Sequence, residues 1–391
     1  MKLLNLTWLF CALFALNAAA QKASNFFQPV PESAALMAAR SATLPVQEPV
    51  KYQTWRLDFD AMRSALVSAP WEFTPAARQS VCKVAVPLAG GATEDFALWQ
   101  IALMEPELAA KYPDIHTYAG RSLQNTGKTI RLTVTPRGFQ AMILRPDFGA
   151  EYVQPYSFDQ TEYYVAFDRA DVPADTRRLT TGVVAGAEVP PMISEQPYAP
   201  EMVNDRGPLL ETVKLKVYRY SVSATHAFCE DHGGTLASVM AAIVSYNNEI
   251  SGVFERDIAM RLKLVANNDK LIFLTAATDP FLGTEVSGFA GQNSGITNTI
   301  LGETQYDVGH VYCRYQGGAA AGVGGVSVCN GKQKGVGSSS GNGNGVYEPR
   351  FRVVVGQEIG HQLSGGHTWN RCNGGGGRQG NTAFEPGSGS T

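Results

Sequence analysis

The stretch "GQEIGHQLSGGHTWN", residues 356–370, places a glutamate and two histidines near the end of a helical pattern. Residues four apart lie on one face of a helix, so Gln357 and His361 are expected to point the same way. His367 follows beyond that turn, and a straight helix would carry it to a different face. The "SGG" at 364–366 allows the chain to turn between the histidines, because glycine tolerates left-handed backbone angles. The stretch is therefore a candidate metal centre.

Each residue type in this stretch has a possible role in such a centre. A hydrolytic zinc site needs three protein ligands and an open position for water. Zinc lowers the pKa of that water to about 7, and a neighbouring carboxylate accepts its proton. His361 and His367 are the predicted ligands, and Glu358 is the predicted general base. Gln357 stands at the first ligand position, where its neutral amide oxygen is a weak donor for zinc.

The composition indicates a folded chain with room for two domains. It has 391 residues, of which 44% are hydrophobic and 17% are charged. The net charge is −3, and lysine and arginine are scattered along the chain. This charge pattern gives no reason to expect nucleic acid or an anionic membrane as a partner.

The N-terminus has the pattern of a signal peptide over residues 1–20. Lys2 supplies the positive charge, "LLNLTWLFCALFAL" the apolar stretch, and "NAAAQ" the small residues of a cut expected after Ala20. No later apolar run is long enough to span a bilayer. We therefore expect a secreted protein with no membrane partner after signal removal, and the pattern leaves its oligomeric state open.

The cysteines of an exported protein are expected to form disulfides. Six are present, and Cys11 is removed with the signal, so an odd number remains. Cys313 could pair with Cys329, or Cys229 could pair with either, because connectivity cannot be read from sequence. Cys82 lies in a strand pattern, which favours a buried apolar thiol over a thiolate that caps a metal.

The remaining chain divides into two predicted units. Residues 21–205 form an α+β unit, with helical patterns within 30–69, strands from Val81 and a proline-rich connector from about residue 168. Residues 206–391 alternate strands and helices, which predicts an α/β fold with a mixed sheet. The glycine-rich stretch 317–345 is interpreted as a flexible loop beside the site. The segment "KLIFL" is predicted to be a strand.

The motif resembles the metzincin signature H-E-x-x-H-x-x-G-x-x-H. "GHTWN", "YDVGHVY", "SGVFERDIAMRL" and the final "AFEPGSGST" resemble bacterial secreted members of its reprolysin (adamalysin-like) branch. The resemblance implies a zinc-dependent endopeptidase secreted as a zymogen, with a mixed sheet over the active-site helix and residues 21–205 as the propeptide. It assigns the general base to Glu358 and zinc ligation to His361 and His367.

The chain departs from this signature in three places. Gln357 replaces the first histidine, Ser364 stands where the signature has glycine, and the sequence stops at Thr391, where the family's methionine turn begins. The expected function is a metalloendopeptidase that cuts internal bonds of protein or peptide substrates and is weak or inactive as given. The alternative is a non-catalytic pseudopeptidase, a peptide-binding module or an inert fragment.

The other histidines are interpreted as structural. The resemblance places His310 on a strand that lines the cleft, which favours a structural or cleft-wall role over a replacement ligand. His116, His226 and His232 lack metal-like spacing and are predicted to be surface or turn residues.

Overall fold

The computed structural model describes residues 23–33, 49–79, 81–157, 161–172, 180–182, 214–314, 321–324, 327–341 and 349–365. We call residues 23–172 of this set the N-terminal unit and residues 214–365 the C-terminal unit. None of the described helices is long and apolar enough to cross a bilayer.

The N-terminal unit is built on a ten-stranded sheet. Its strands are β1 Ser24–Asn25, β2 Phe27–Pro29, β3 Gln53–Leu57, β4 Lys83–Pro87, β5 Thr93–Gln100, β6 His116–Ser122, β7 Thr129–Thr135, β8 Gly138–Leu144, β9 Ala150–Pro155 and β10 Tyr163–Asp168. The sheet order is β1-β4-β5-β6-β7-β8-β9-β10-β3-β2, and only the β1–β4 pair is parallel. Its helices are α1 Phe59–Leu66, α2 Pro75–Arg78 and α3 Pro106–Lys111.

Helix α1 begins where the sequence places its cap. The side chain of Asp58 accepts a hydrogen bond from the backbone N–H of Ala61, which satisfies one of the free N–H groups of the first turn. Met62 and Leu66, four residues apart, are fully buried in the core of the sheet. The helix predicted within residues 59–69 is therefore confirmed. The helical pattern predicted over residues 30–40 is not formed at 30–33, and the rest of it lies outside the described residues.

The C-terminal unit is built on a second sheet, to which one strand of the connector also belongs. The strands are β11 Thr180–Gly182, β12 Lys216–Ala224, β13 Met260–Leu264, β14 Val308–Arg314, β15 Ala321–Gly324 and β16 Gly337–Gly341. The sheet order is β11-β15-β16-β14-β12-β13, and only the β15–β16 pair is antiparallel. The helices are α4 His226–Asp231, α5 Leu236–Ile258, α6 Val286–Ile300 and α7 Pro349–Gln362.

Helices cover both faces of this second sheet. Successive side chains of a strand point to opposite faces. Val308 and Tyr312 of β14 belong to the core cluster that contains α5 and α7, whereas Val311 and Cys313 belong to the cluster that contains α6. Helices α5 and α7 therefore share one face, and α6 lies on the other. The predicted mixed α/β fold is confirmed.

The prediction of a plain loop at 317–345 is wrong for part of that stretch. Ala321–Gly324 and Gly337–Gly341 are adjacent strands, and a short 3-10 helix, Gly331–Gln333, precedes the second. Glycine and serine have low strand propensity. Here β16 is held by hydrogen bonding to β14 and β15 on its two sides, so pairing outweighs propensity.

The strand predicted for "KLIFL" is also wrong. Asn268–Leu271 form a 3-10 helix, and Ile272 makes only an isolated bridge to Ala224. Leu271 and Phe273 are both buried, so the apolar run is explained by core packing at the end of the sheet.

The expected disulfides are not formed among the described cysteines, since Cys82, Cys229, Cys313 and Cys329 are all free thiols. The thiol of Cys313 is buried and donates to the carbonyl of Ser339 at 3.4 Å, whereas Cys329 is exposed. Cys82 is buried as expected, and burial raises the pKa of its thiol.

Candidate metal centre

Helix α7 carries the described part of the motif. Its apolar residues Phe351, Val355 and Ile359 are buried in the core shared with α5 and the sheet, which fixes the rotation of the helix. Glu358 is 0% exposed and His361 is 7% exposed, so both predicted functional side chains are inside the protein. Gln357 lies one turn before His361 and is half-buried. The role of each residue stays a prediction.

The chain turns at the end of α7, but a glycine does not make the left-handed step. Ser364 has a φ of 76°, in the region that glycine normally occupies. The backbone N–H of Gly365 then donates to the carbonyl of Gly360 at 2.8 Å. A Cβ at Gly365 would lie 2.9 Å from that same oxygen, so this position needs glycine. His367 lies outside the described residues.

The imidazole of His361 is in the tautomer that suits a metal ligand. Its Nδ1 lies 2.7 Å from the carbonyl oxygen of Gly365, so Nδ1 carries the proton and donates. The lone pair is then on Nε2, which is buried. Metal-binding histidines commonly donate their second nitrogen to a carbonyl in this way.

The described donor set does not by itself fit zinc. Among the described residues, no three histidine, cysteine, aspartate or glutamate side chains are grouped so that they could hold a metal ion. His361 offers one imidazole, and Gln357 offers an amide where a second imidazole is needed. A zinc peptidase site requires three protein ligands. An amide at 357 is therefore expected to give a lower affinity for zinc than a histidine would.

Gln357 lines a cavity of about 320 Å³ between the two units. The cavity is bounded by α5, α7 and the β8–β9 hairpin, and its lining includes Tyr152, Glu249 and Phe254. His361 does not line it, although it shares the helix face by spacing. The cavity leaves space around the Gln357 side chain.

A buried ion pair lies in the first turn of α7, where Arg352 lines the same cavity. Arg352 Nε is 2.9 Å from Glu249 Oε2, and both side chains are about 5% exposed or less. The guanidinium also lies over the rings of Tyr152 and Tyr246. Burial raises the pKa of Glu249 to about 7, against the lowering effect of Arg352. The pair joins α7 to α5.

A buried hydrogen-bond network connects the C-terminal end of α7 to the sheet. The amide oxygen of Gln362 accepts from His310 Nδ1 at 2.9 Å, and its amide nitrogen donates to the carbonyl of Gly309 at 2.8 Å. Ser339 Oγ lies 2.8 Å from His310 Nε2. His310 is fully buried, and burial lowers its pKa to about 4. A Cβ at Gly337 would lie 2.5 Å from Gln362 Cδ, so this contact also requires glycine at 337. The structure thus agrees with a structural role for His310.

The prediction that His232 is a surface or turn residue is wrong in part. It follows α4, but its ring is buried and stacks on Phe228 at 3.9 Å. Nδ1 donates to the carbonyl of Phe228 at 2.7 Å, and Nε2 accepts from the hydroxyl of Tyr246 at 3.0 Å. Burial lowers the pKa of His232 to about 4. His226 is partly exposed beside Asp279, and His116 lies half-buried on β6.

We expect His232 to make the protein sensitive to acid. Because the folded-state pKa is below the ordinary value of 6.5, its contribution to stability is present above about pH 6.5 and is lost as the pH falls towards 4. The loss is expected to be at most about 3 kcal/mol. Urea unfolding at pH 7.5 and pH 4.5 should therefore show a smaller pH dependence in His232→Phe than in the unaltered protein.

The control for this measurement is Gln333→Leu, whose side chain is exposed and carries no titratable group. This variant should keep the pH dependence of the unaltered protein. An equal pH dependence in His232→Phe and the unaltered protein would show that another group causes the acid sensitivity.

The C-terminal unit is a mixed sheet with two helices on one face, the second of which carries a buried E-x-x-H sequence. This arrangement is consistent with a metallopeptidase-type catalytic domain. Residues 214–391 match the family model described as metallo-peptidase family M12B, reprolysin-like. The match supports the assignment of this part of the chain to the reprolysin-like metzincins, which are peptidases and typically use zinc. No curated protein matches the chain.

Several residues of the site were not singled out by the sequence. Gln362, Ser339 and Gly337 hold α7 in place, and Arg352 pairs with Glu249. Gln362 and His310 are 52 positions apart, so their contact follows from the topology and leaves no local pattern. An arginine among the apolar residues of the helical pattern before the motif was the available signal for Arg352, because a charge on a helix that packs into a core needs a partner.

Proposed function

We propose that this protein is an exported, reprolysin-like metalloendopeptidase that acts on internal peptide bonds and has a weakened metal site. In the proposal Glu358 is the general base, His361 and His367 are zinc ligands, and Gln357 is a poor substitute for a third. The observation that carries the proposal is the family match over a fold that buries Glu358 and His361 on one helix. Weak zinc binding makes hydrolysis weak or absent.

A peptide substrate is supported by the edge of the sheet next to α7. Thr180–Gly182 of the connector pairs with β15 along its outer edge, in register Thr180–Ala321 to Gly182–Val323. An extended segment of another peptide can add to such an edge through the same backbone groups. Release of the connector would then make this edge available.

The second candidate is a non-catalytic peptide-binding protein, and Gln357 is the observation that favours it. A neutral amide at a ligand position can abolish metal binding and leave the sheet edge unaltered. In this case Glu358 has no catalytic function, and peptides bind without being cut.

The two candidates are distinguished by zinc content and peptide turnover. We expect the protein to retain little zinc after dialysis and to cut quenched fluorescent peptides barely above the blank, both with the connector cut and after the N-terminal unit has been removed. Fluorescence anisotropy with the same peptides reports binding without cleavage. Stoichiometric zinc with turnover that disappears in Glu358→Ala would establish a working peptidase with Gln357 as a ligand. Zinc-independent peptide binding that is unchanged in Glu358→Ala would establish the second candidate.

A further inference from the structure

The two units share a sheet edge. The backbone N–H of Leu264 in β13 donates to the carbonyl of Leu103 at 2.8 Å, and the N–H of Glu105 donates to the carbonyl of Leu264 at 2.8 Å. These bonds form a parallel bridge between Met104 and Leu264. The carboxylate of Glu105 also accepts from the N–H of Ala266 at 2.8 Å. The N-terminal unit thus continues the sheet of the C-terminal unit beyond β13.

The units also share a hydrophobic core. Met104, Leu108 and Ile115 of the N-terminal unit are buried in the same cluster as the apolar residues of β12, β13, α5 and α7. Such apolar sharing is typical of permanent interfaces, which resemble a protein core cut in half.

Asn248 of α5 and the carbonyl of His232 after α4 both hydrogen-bond to the N-terminal unit. Asn248 is fully buried, and its amide nitrogen donates to the carbonyl of Leu132 and to Thr133 Oγ1, both at 3.0 Å. Arg137 of the N-terminal unit donates to the carbonyl of His232 at 2.6 Å. Separation of the units would break these bonds and leave apolar surface in contact with water.

A chain of buried charges crosses the interface. Glu72 and Arg131 belong to the N-terminal unit, and Glu255 and Arg261 belong to the C-terminal unit. Arg131 Nη2 lies 2.7 Å from Glu255 Oε2, Arg261 Nε lies 2.7 Å from Glu255 Oε1, and Arg261 Nη2 lies 2.9 Å from Glu72 Oε2. The four side chains are 6–14% exposed. Removing one charge from such a chain leaves its partner buried and unpaired.

Side chains pack closely around these four charged residues. The stem of Arg131 crosses α5 at Gly252, where a Cβ would lie 2.5 Å from Arg131 Cγ. Burial alone would raise the pKa of Glu255, but the hydrogen bonds from Arg261 and Arg131 outweigh it and lower the pKa. Glu255 therefore stays ionised at neutral pH, and each charge in the chain faces an opposite one.

We propose that the N-terminal unit is a permanent partner of the C-terminal unit, so that the two remain one noncovalent complex after the connector is cut. The surface that holds them is the side of α5 that carries Asn248, Gly252 and Glu255, together with the outer edge of β13. The complex does not depend on zinc or on catalysis, so this inference stands apart from the proposed function.

The test cuts the connector after the full chain has folded. A site for a sequence-specific protease is inserted after Ala187, and the cut protein is analysed by size-exclusion chromatography at neutral pH. Both fragments should elute together at the mass of the uncut protein. Elution as two separate fragments at micromolar concentration would overturn the proposal.

Two variants test whether the charge chain holds the complex. Arg261→Met removes the central cation and should raise the dissociation constant of the cut protein by about tenfold or more. Lys111→Met is the matched control, because Lys111 also pairs across the interface, with Asp269 at 2.9 Å, but is 40% exposed. It should change the constant by less than about threefold. Equal effects of the two variants would exclude the charge chain as the determinant. If uncut Arg261→Met does not fold, Glu72→Gln tests the same chain from the N-terminal side.

Discussion

Replacing Gln357 by histidine is expected to raise the affinity for zinc by about two orders of magnitude or more, because an imidazole replaces a neutral amide at one of the three proposed ligand positions. Position 357 lies one helical turn before His361 on a helix whose rotation is fixed by buried apolar residues. The side chain at 357 borders a cavity of about 320 Å³, so an imidazole has space to adopt the required rotamer. The variant thus supplies the missing donor without repacking the core.

The measurement is zinc content after dialysis against graded chelator concentrations, followed by an assay with quenched peptides. Gln357→Asn is the control, since it keeps an amide and should gain no affinity. If Gln357→His retains no more zinc than the control, then His361 and His367 do not form a metal centre with position 357. Turnover gained in Gln357→His should disappear when Glu358→Ala is added.

Replacing Gln362 by leucine is expected to destabilise the protein by about 3–5 kcal/mol, since buried polar groups would lose their partners at about 1–3 kcal/mol each. Leucine resembles glutamine in size but cannot accept from His310 or donate to the carbonyl of Gly309 and to Ser327 Oγ. The loss should fall on the contact of α7 with β14.

Thermal unfolding followed by circular dichroism checks this result, with an expected fall of about 10 °C in the midpoint. Gln333→Leu is the matched control, because Gln333 is exposed and should change stability by less than about 0.5 kcal/mol. A midpoint of Gln362→Leu within two degrees of the control would contradict the assignment of Gln362 as a buried anchor of α7.

The elements predicted well from sequence are those whose local pattern and tertiary environment agree. Helix α5 has apolar residues at helical spacing and a capping box between Thr235 and Ser238, and it is a helix over Leu236–Ile258. Strands β7 and β8 carry β-branched and apolar residues on either side of the turn at 135–138, and they pair as a hairpin. Here propensity, turn chemistry and pairing favour the same structure.

The elements that were missed are those in which pairing partners decide the structure. The sequences of β15 and β16, "AGVG" and "GSSSG", have no strand propensity of their own. The segment "KLIFL" has high propensity but lies where the sheet ends. These outcomes depend on which strands are neighbours in space, and a single sequence does not encode that locally.

The candidate site likewise has features that the sequence predicts and features that depend on contacts made in the folded protein. Helical spacing alone places Gln357, Glu358 and His361 on α7, so the arrangement of the described motif residues was predictable. The tautomer of His361 depends on the carbonyl of Gly365, which faces it only because Ser364 takes a left-handed conformation. The anchor at Gln362 depends on a strand far away in sequence.

The three-residue strand β11 also affects how the protein behaves in solution. It pairs with the outer edge of β15 over three residues only. Because so short a pairing has few backbone hydrogen bonds, it is readily lost. An uncovered strand edge is a template for another chain, and proteins normally guard such edges with charge or proline. The sequence of β15, "AGVG", contains neither. Withdrawal of β11 therefore creates a site for edge-to-edge aggregation, and light scattering should rise with protein concentration once this segment has been removed.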